Sequence, residues 1–272
     1  MRIAITGLLL LPLTPFLLGC GNHTGNVSKG RKSTVTIAGS TSVMPFTEKL
    51  AEHFKIEKPG INVDVQGGGS SAGIRACINR TVDIGMSSRE LKGDEKVLKE
   101  IIICHDGIAV VVHPRNPLSG ITLEQIRAIY GGKIRNWKQL GWIDRNIDAV
   151  TREEGSGTRG AFEELVMGKT DIHDSTMVQD SNGSVKEVVA TDPYAIGFIS
   201  LGVVDAKVKA LPVEGVGPKV ENIKTGRYRI VRPFLYLTMG EPADAARLFI
   251  AYALSKDGQL VLKKEGLVPI DE

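Results

Sequence analysis

The sequence predicts an α/β fold with mixed, mostly parallel sheets flanked by helices, and three observations carry that expectation. Short strand-like runs of alternating or β-branched apolar residues recur along the chain; several end in Gly/Ser turns; and those turns open stretches with helical periodicity. Val35-Thr36-Ile37-Ala38 runs into Gly39-Ser40-Thr41-Ser42, after which Val43, Phe46, Leu50, Ala51 and Phe54 mark one helix face. Ile61, Val63 and Val65 alternate, Gly67 to Ser71 turns, and Ala72 to Arg80 reads as helix with Ile74 and Ile78 on one side. A third strand, Val82 to Met86, ends in Ser87-Ser88-Arg89. Small hydroxyl residues are thus delivered repeatedly to strand ends, the edge at which open α/β sheets bind ligands. One such turn by itself is only turn chemistry.

Ile101 to Ile103 and Ile108 to Val112 are β-branched runs suited to buried strand, and His113-Pro114-Arg115-Asn116-Pro117 breaks the pattern, where a crossing between lobes is expected. Thr122 to Tyr130 reads as helix, Gly131 to Gly141 as a turn region carrying Trp137, and Asp148-Ala149-Val150 as strand. Val185 to Ala190 reads as helix and Ala195 to Ile199 as strand. Ile230 to Thr238 is strand-like with Pro233 inside, and Ala243 to Leu254 is helical.

The stretch around which the chain is organised is Thr151-Arg152-Glu153-Glu154-Gly155-Ser156-Gly157-Thr158, followed by a helix whose apolar stripe is Ala161, Phe162, Leu165 and Val166. Amides in a first helical turn lack intrahelical partners, and glycines let an oxyanion approach the backbone. Ser156 and Thr158 add hydroxyls, and Arg152 adds a planar fork of N–H donors. The plain alternative is an ordinary N-cap serving only its helix.

Length and composition agree with a globular chain: 272 residues accommodate two lobes, and 42% hydrophobic with 24% charged residues permits a large core. A formal net charge of +3, without a basic run or aromatic-studded stripe, gives no reason to expect nucleic acid. Arg2 precedes an apolar stretch from Ile3 to Leu18, interrupted by Pro12 and Pro15, which reads as a signal peptide over 1–19 and not a membrane span. It ends in Leu17-Leu18-Gly19-Cys20, which resembles the bacterial lipoprotein signal with Cys20 as the lipidated (palmitate-bearing) residue; a signal cut elsewhere with an incidental cysteine is the alternative. Residues 20–32 then read as a polar tether. Cys77 and Cys104 sit among apolar neighbours, so buried free thiols are the ordinary expectation and a disulfide the alternative.

Gly69-Ser70-Ser71-Ala72-Gly73 matches Gly-x-Ser-x-Gly between a strand and a helix, the context of a nucleophile elbow. It makes Ser71 the nucleophile of a rival serine-hydrolase reading, which needs a carboxylate and one of His105, His113 or His173. Gly168-Lys169-Thr170 fails the P-loop pattern because Glu163 stands where a glycine is required. The five histidines have no ligand spacing, so no metal and no cofactor is expected.

Gly39 to Ser42, Gly69-Ser70-Ser71, Asp83 to Arg89, Arg152 to Thr158 and Ala195 to Phe198 together resemble the phosphate-binding protein family of bacterial phosphate ABC importers, in order and over nearly all of 33–271. The resemblance implies a two-lobed fold of the type II periplasmic class with a two-segment hinge: lobe one from 33–112 and 229–272, lobe two from 113–228. It implies a monomeric extracytoplasmic receptor, not an enzyme, that takes inorganic phosphate, is held to the membrane by its lipid, and delivers its ligand to permease and ATPase subunits. A sensor or surface protein using the same pocket without transport is the alternative. By the same resemblance Ser40, Thr41, Ser70, Ser88, Arg152, Ser156, Gly157 and Thr158 face phosphate, and Glu154 orients Arg152. Ser88 stands where much of the family has an aspartate, which puts the discrimination of phosphate from sulfate in question.

Overall fold

The strand, turn and helix repeat read from the sequence opens the computed structural model, which describes residues 33–270; the expected signal peptide, Cys20 and the tether lie outside the described residues. β1 (Ser33–Gly39), α1 (Met44–Glu57), β2 (Ile61–Gln66), α2 (Ser70–Ile78) and β3 (Ile84–Ser87) follow in order. β4 (Lys99–Val112) is one long strand where two β-branched runs were expected. The strand continues through its polar middle because Asp106 lies opposite Arg232 of the antiparallel neighbour, so the charge that interrupts the apolar pattern is paired where it stands.

α3 (Leu123–Tyr130) begins with a capping box, Thr122 Oγ1 accepting from the Gln125 amide at 3.1 Å and Gln125 Oε1 from the Thr122 amide at 2.9 Å. β5 (Asp148–Arg152) leads into α4 (Gly157–Phe162), which widens into a π-helical turn over Glu163–Met167. That widening shifts the side-chain register. Leu165, expected on the buried stripe, is consequently 38% exposed, whereas Phe162, Val166 and Met167 are buried. The chain continues through β6 (Met177–Gln179), α5 (Asn182–Thr191), β7 (Ala195–Ser200), β8 (Lys209–Ala210), α6 (Val220–Lys224), β9 (Val231–Thr238), α7 (Asp244–Leu254) and α8 (Lys256–Lys264).

The sheet runs β2-β1-β3-β9-β4-β7-β5-β6, with β8 added on β4. β1 pairs with β2 and β3 in parallel, as β5 does with β6 and β7, but every pairing made by β4 and β9 is antiparallel. The sheet is therefore mixed, as expected, with its antiparallel pairings concentrated on β4 and β9. β4 hands over from β9, paired as far as Gly107, to β7, paired from Ile108, so its partners change before His113 and the proline-rich segment.

The largest core clusters lie on either side of that handover. Val35, Ile37, Phe46, Leu50, Phe54 and Phe249 pack together, while Ile108, Val110, Tyr130, Trp137, Phe162 and Phe198 form the other group. Phe162 stacks on Phe198 with ring centroids 3.9 Å apart, which fixes the axis of α4 against β7. Cys77 and Cys104 are free and buried, Cys77 Sγ donating to the Leu237 carbonyl at 3.3 Å. Burial pushes both thiols above the usual cysteine range.

Candidate anion site at the strand ends

The ends of β1, β3 and β5 and the start of α2 meet at one place, because the parallel pairing of β1 with β3 aligns their ends and α4 is set by its packing on β7. Ser40 Oγ accepts from the Ser42 and Val43 amides at 3.2 and 3.4 Å and donates to Ser88 Oγ at 2.9 Å. Ser88 Oγ lies 3.4 Å from Ser70 Oγ, and the Ser88 amide donates to Ser70 Oγ at 3.1 Å. All three serines are buried. Gly157 faces this cluster directly: a Cβ there would collide with Ser70 Oγ and lie 2.6 Å from Ser88 Oγ, so only glycine fits between the hydroxyls and the first turn of α4.

Arg152 is 1% exposed. Its Nη2 donates to Thr41 Oγ1 at 2.9 Å, to Glu153 Oε1 at 3.0 Å and to the Asp180 carbonyl at 3.0 Å. Its Nε donates to Glu153 Oε2 at 2.9 Å and to the Gln179 carbonyl at 3.2 Å. Its Nη1 is buried and has no hydrogen-bond partner among the described residues. The carboxylate that orients Arg152 is thus Glu153, not Glu154 as the family pattern suggested. Glu154 is exposed, whereas Glu153, next to Arg152 in the chain, grips the Nε and Nη2 edge of the guanidinium with both carboxylate oxygens.

Ser156 caps α4, its Oγ accepting from the Thr158 and Arg159 amides at 3.2 and 3.3 Å, so the ordinary capping role is present and leaves only its proton for other contacts. Thr158 Oγ1 lies 2.6 Å from Ser42 Oγ and accepts from Arg232 Nη1 at 2.7 Å. Ser42 Oγ accepts from Asn182 Nδ2 at 2.7 Å. Arg232 in turn holds Asp106 Oδ2 through Nε at 3.1 Å and Nη2 at 3.0 Å, and Asp106 Oδ1 accepts from Ser200 Oγ at 2.9 Å. Burial pushes the Asp106 carboxyl up against the opposing pull of Arg232, and burial pulls the Arg232 guanidinium down.

The structure therefore gathers Ser40, Thr41, Ser70, Ser88, Arg152, Ser156, Gly157 and Thr158 around one spot. Ser42, Asp106, Glu153, Asn182 and Arg232 join them without having been singled out as contacts. Asp106 and Arg232 left a readable trace, an acid in the apolar middle of β4 and a base near the start of apolar β9; Asn182 left none. Ser71 lies apart from any triad: Arg89 Nη2 approaches its Oγ at 3.4 Å, its amide donates to the Gly155 carbonyl at 3.1 Å, and no histidine bonds it among the described residues. Nor, among the described residues, do three or more His, Cys, Asp or Glu side chains cluster as metal ligands would.

The arrangement suits an oxyanion, with buried hydroxyls and the Nη1 of a buried guanidinium brought together at one place. A family model described as a PBP superfamily domain matches residues 24–257. The phosphate-binding protein PstS of Bacillus subtilis (strain 168) is 32% identical over 282 residues, covering 97% of this chain and 94% of its own. A putative phosphate ABC transporter substrate-binding protein from Clostridium perfringens, solved with bound phosphate, superposes with a TM-score of 0.86 at 43% identity, over 88% of this chain and 100% of that one. An ABC-type phosphate transport receptor from Vibrio cholerae gives a TM-score of 0.73 at 40% identity, over 86% and 99%. By sequence over its length and by fold, the chain belongs to the PBP superfamily, among the substrate-binding proteins of phosphate ABC transporters.

Proposed function

We propose that the protein captures inorganic phosphate between two lobes, 33–112 with 229–272 and 113–228, and delivers it to the permease and ATPase subunits of an ABC importer. The observation that carries this reading is Arg152 Nη1, a buried cationic donor without a partner among the described residues, beside a cluster of buried hydroxyls. Leaving such a donor unsatisfied is costly, and a tetrahedral oxyanion satisfies it together with Thr41, Ser70, Ser88, Gly157 and Thr158. Each charge-assisted bond contributes about 1.5 to 3 kcal/mol, and micromolar affinity corresponds to about 8 kcal/mol, so a few bonds suffice after desolvation. The protein binds and does not catalyse in this reading. Ser71 has an arginine where a nucleophile needs a base.

The Gly19-Cys20 pair after an apolar leader supports export and attachment to the membrane through a lipidated Cys20. In a Cys20→Ser variant the protein should no longer partition with membranes. The central test is calorimetric titration of ligand-stripped protein with phosphate, sulfate, arsenate and molybdate. Micromolar or tighter phosphate binding is expected, and absence of a phosphate heat and of any phosphate-dependent stabilisation would refute the reading.

A further inference from the structure

Behind the anion site stands a second guanidinium that does not depend on Arg152 for its position. Arg232 projects from β9 with 2% of its surface exposed, and Asp106, its opposite residue on β4, holds two of its three nitrogens. The third nitrogen, Nη1, is left to the site, donating to Thr158 Oγ1 at 2.7 Å and reaching the Ser88 carbonyl at 3.4 Å. A guanidinium can only donate, so Thr158 Oγ1 must accept there.

A similar constraint acts on Ser42. The Ser200 amide, which can only donate, meets Asn182 at Oδ1 at 3.4 Å, so Nδ2 is the atom facing Ser42 Oγ at 2.7 Å. Thr158 and Ser42 therefore each receive an N–H, and they lie 2.6 Å from one another. Two hydroxyl protons are available and their mutual contact uses one. The other must leave the pair, and the ligand is the acceptor that phosphate capture would bring.

We propose that Arg232, fixed by Asp106, is a positioning and specificity-determining residue that turns the Thr158–Ser42 hydroxyl pair into a donor and so favours the more deprotonated, dianionic form of phosphate. The inference rests on the phosphate-binding reading and deepens it. The charged and titratable groups facing Arg232 are Asp106 and Cys104 on β4, Arg152 on β5, and Arg89, Glu90 and Glu164 around a cavity of about 40 Å³ that reaches it. Of these only Asp106 bonds its guanidinium. Replacing the ion pair with apolar residues of similar volume would leave the hydroxyl pair two free lone pairs in place of one, so a P–OH proton would be accepted more readily and the monoanion accommodated as well.

The test measures phosphate affinity across the second ionisation of phosphate, on both sides of neutral pH, for wild type, for Arg232→Met combined with Asp106→Leu, and for Arg232→Lys. Thermal unfolding of each variant is followed alongside. Wild-type affinity is expected to rise with pH and level off once phosphate is dianionic. The apolar pair is expected to fold, to bind more weakly at high pH by roughly tenfold, and to lose most of the pH dependence. Arg232→Lys keeps a cation for Asp106 but cannot reach Asp106 and Thr158 with the same fork, and should show a partial loss of both affinity and pH dependence. A folded apolar-pair or lysine variant with wild-type affinity and pH profile overturns the proposal, as does a wild type that binds phosphate equally well on both sides of its second ionisation. A wild type with no phosphate binding at any pH defeats the functional reading itself, and is distinguishable because it is seen before any variant is made.

Discussion

Arg152 uses Nε and Nη2 to fix itself, on Glu153, Thr41 and two backbone carbonyls, so that Nη1 is aimed by the fold and not by the ligand. Such pre-orientation means little side-chain entropy is lost on binding. Arg152→Lys keeps the charge but cannot reproduce the fork, and phosphate affinity should fall by about 10- to 100-fold, corresponding to about 1.5–3 kcal/mol, read by calorimetry. Unchanged affinity would remove Arg152 from the site. Ser88 poses the complementary question. Its hydroxyl sits between Ser40 and Ser70, and among the described residues no carboxylate bonds it. Asp83, a carboxylate that could have supplied one, instead accepts from the Thr36 amide and hydroxyl, each at 2.8 Å, and Glu153 is committed to Arg152. A serine neither repels sulfate nor demands a proton from the ligand, so Ser88→Asp should sharpen selection of phosphate over sulfate. If sulfate in large excess fails to compete with phosphate in wild type, the argument from Ser88 is wrong. At this scale the sequence was legible where a strand end and a glycine turn coincide, as at Ser40, Ser70 and Thr158. It was not legible for Asp106 with Arg232, because periodicity reports which face a residue takes and not which residue on a distant strand lies opposite it. For orienting Arg152 the resemblance gave Glu154, and only the side-chain path shows that the neighbouring Glu153 does it.

Single elements explain why these residues stay in place. α4 is short, and its direction comes from Phe162 stacked on Phe198 and set against Tyr130, not from its own length. Phe162→Ala should cost about 3–5 kcal/mol in urea unfolding and weaken phosphate binding, since Gly157 and Thr158 ride on the same turn. A loss of stability with unaltered affinity in the folded fraction would separate the helix axis from the site. The π turn beyond it is the part of this element the sequence hid: the pattern gives Leu165 a place on the stripe only if the helix keeps its ordinary pitch. β4 hides a different feature, a half-buried His105 whose imidazole is kept below its free value of 6.5 by burial. The sign follows from that depression. The unfolded chain protonates first, so the contribution to stability is present above 6.5 and is lost as pH falls through that value toward the lowered folded one. His105→Gln should flatten that segment of the stability–pH curve, and an identical slope in the variant would assign the effect elsewhere.

On the scale of the whole molecule, the contacts between the two proposed lobes include polar ones made at the site itself. Arg152 reaches Thr41, Thr158 meets Ser42, and the Ser71 amide donates to the Gly155 carbonyl at 3.1 Å. The Lys92–Glu164 pair, 3.7 Å apart and solvent-exposed, adds little by comparison. Hydroxyl contacts of this kind exchange readily with water, so they define a geometry without strongly preferring it; a bound oxyanion that touches both sides adds interactions available only when the sides are together. The consequence is quantitative. A ligand at a hundredfold excess over its Kd stabilises the folded state by about 2.7 kcal/mol, which for a chain of this size raises the melting temperature by roughly 5–10 °C. Thr41→Ala removes a partner of Arg152 without adding bulk, so at equal phosphate concentration the rise should be smaller while the ligand-free melting temperature moves less. If the variant loses as much stability without phosphate as with it, Thr41 is holding the resting structure and not the ligand-bound one. The bridge between the lobes would then be carried by the hydroxyl pair under Arg232.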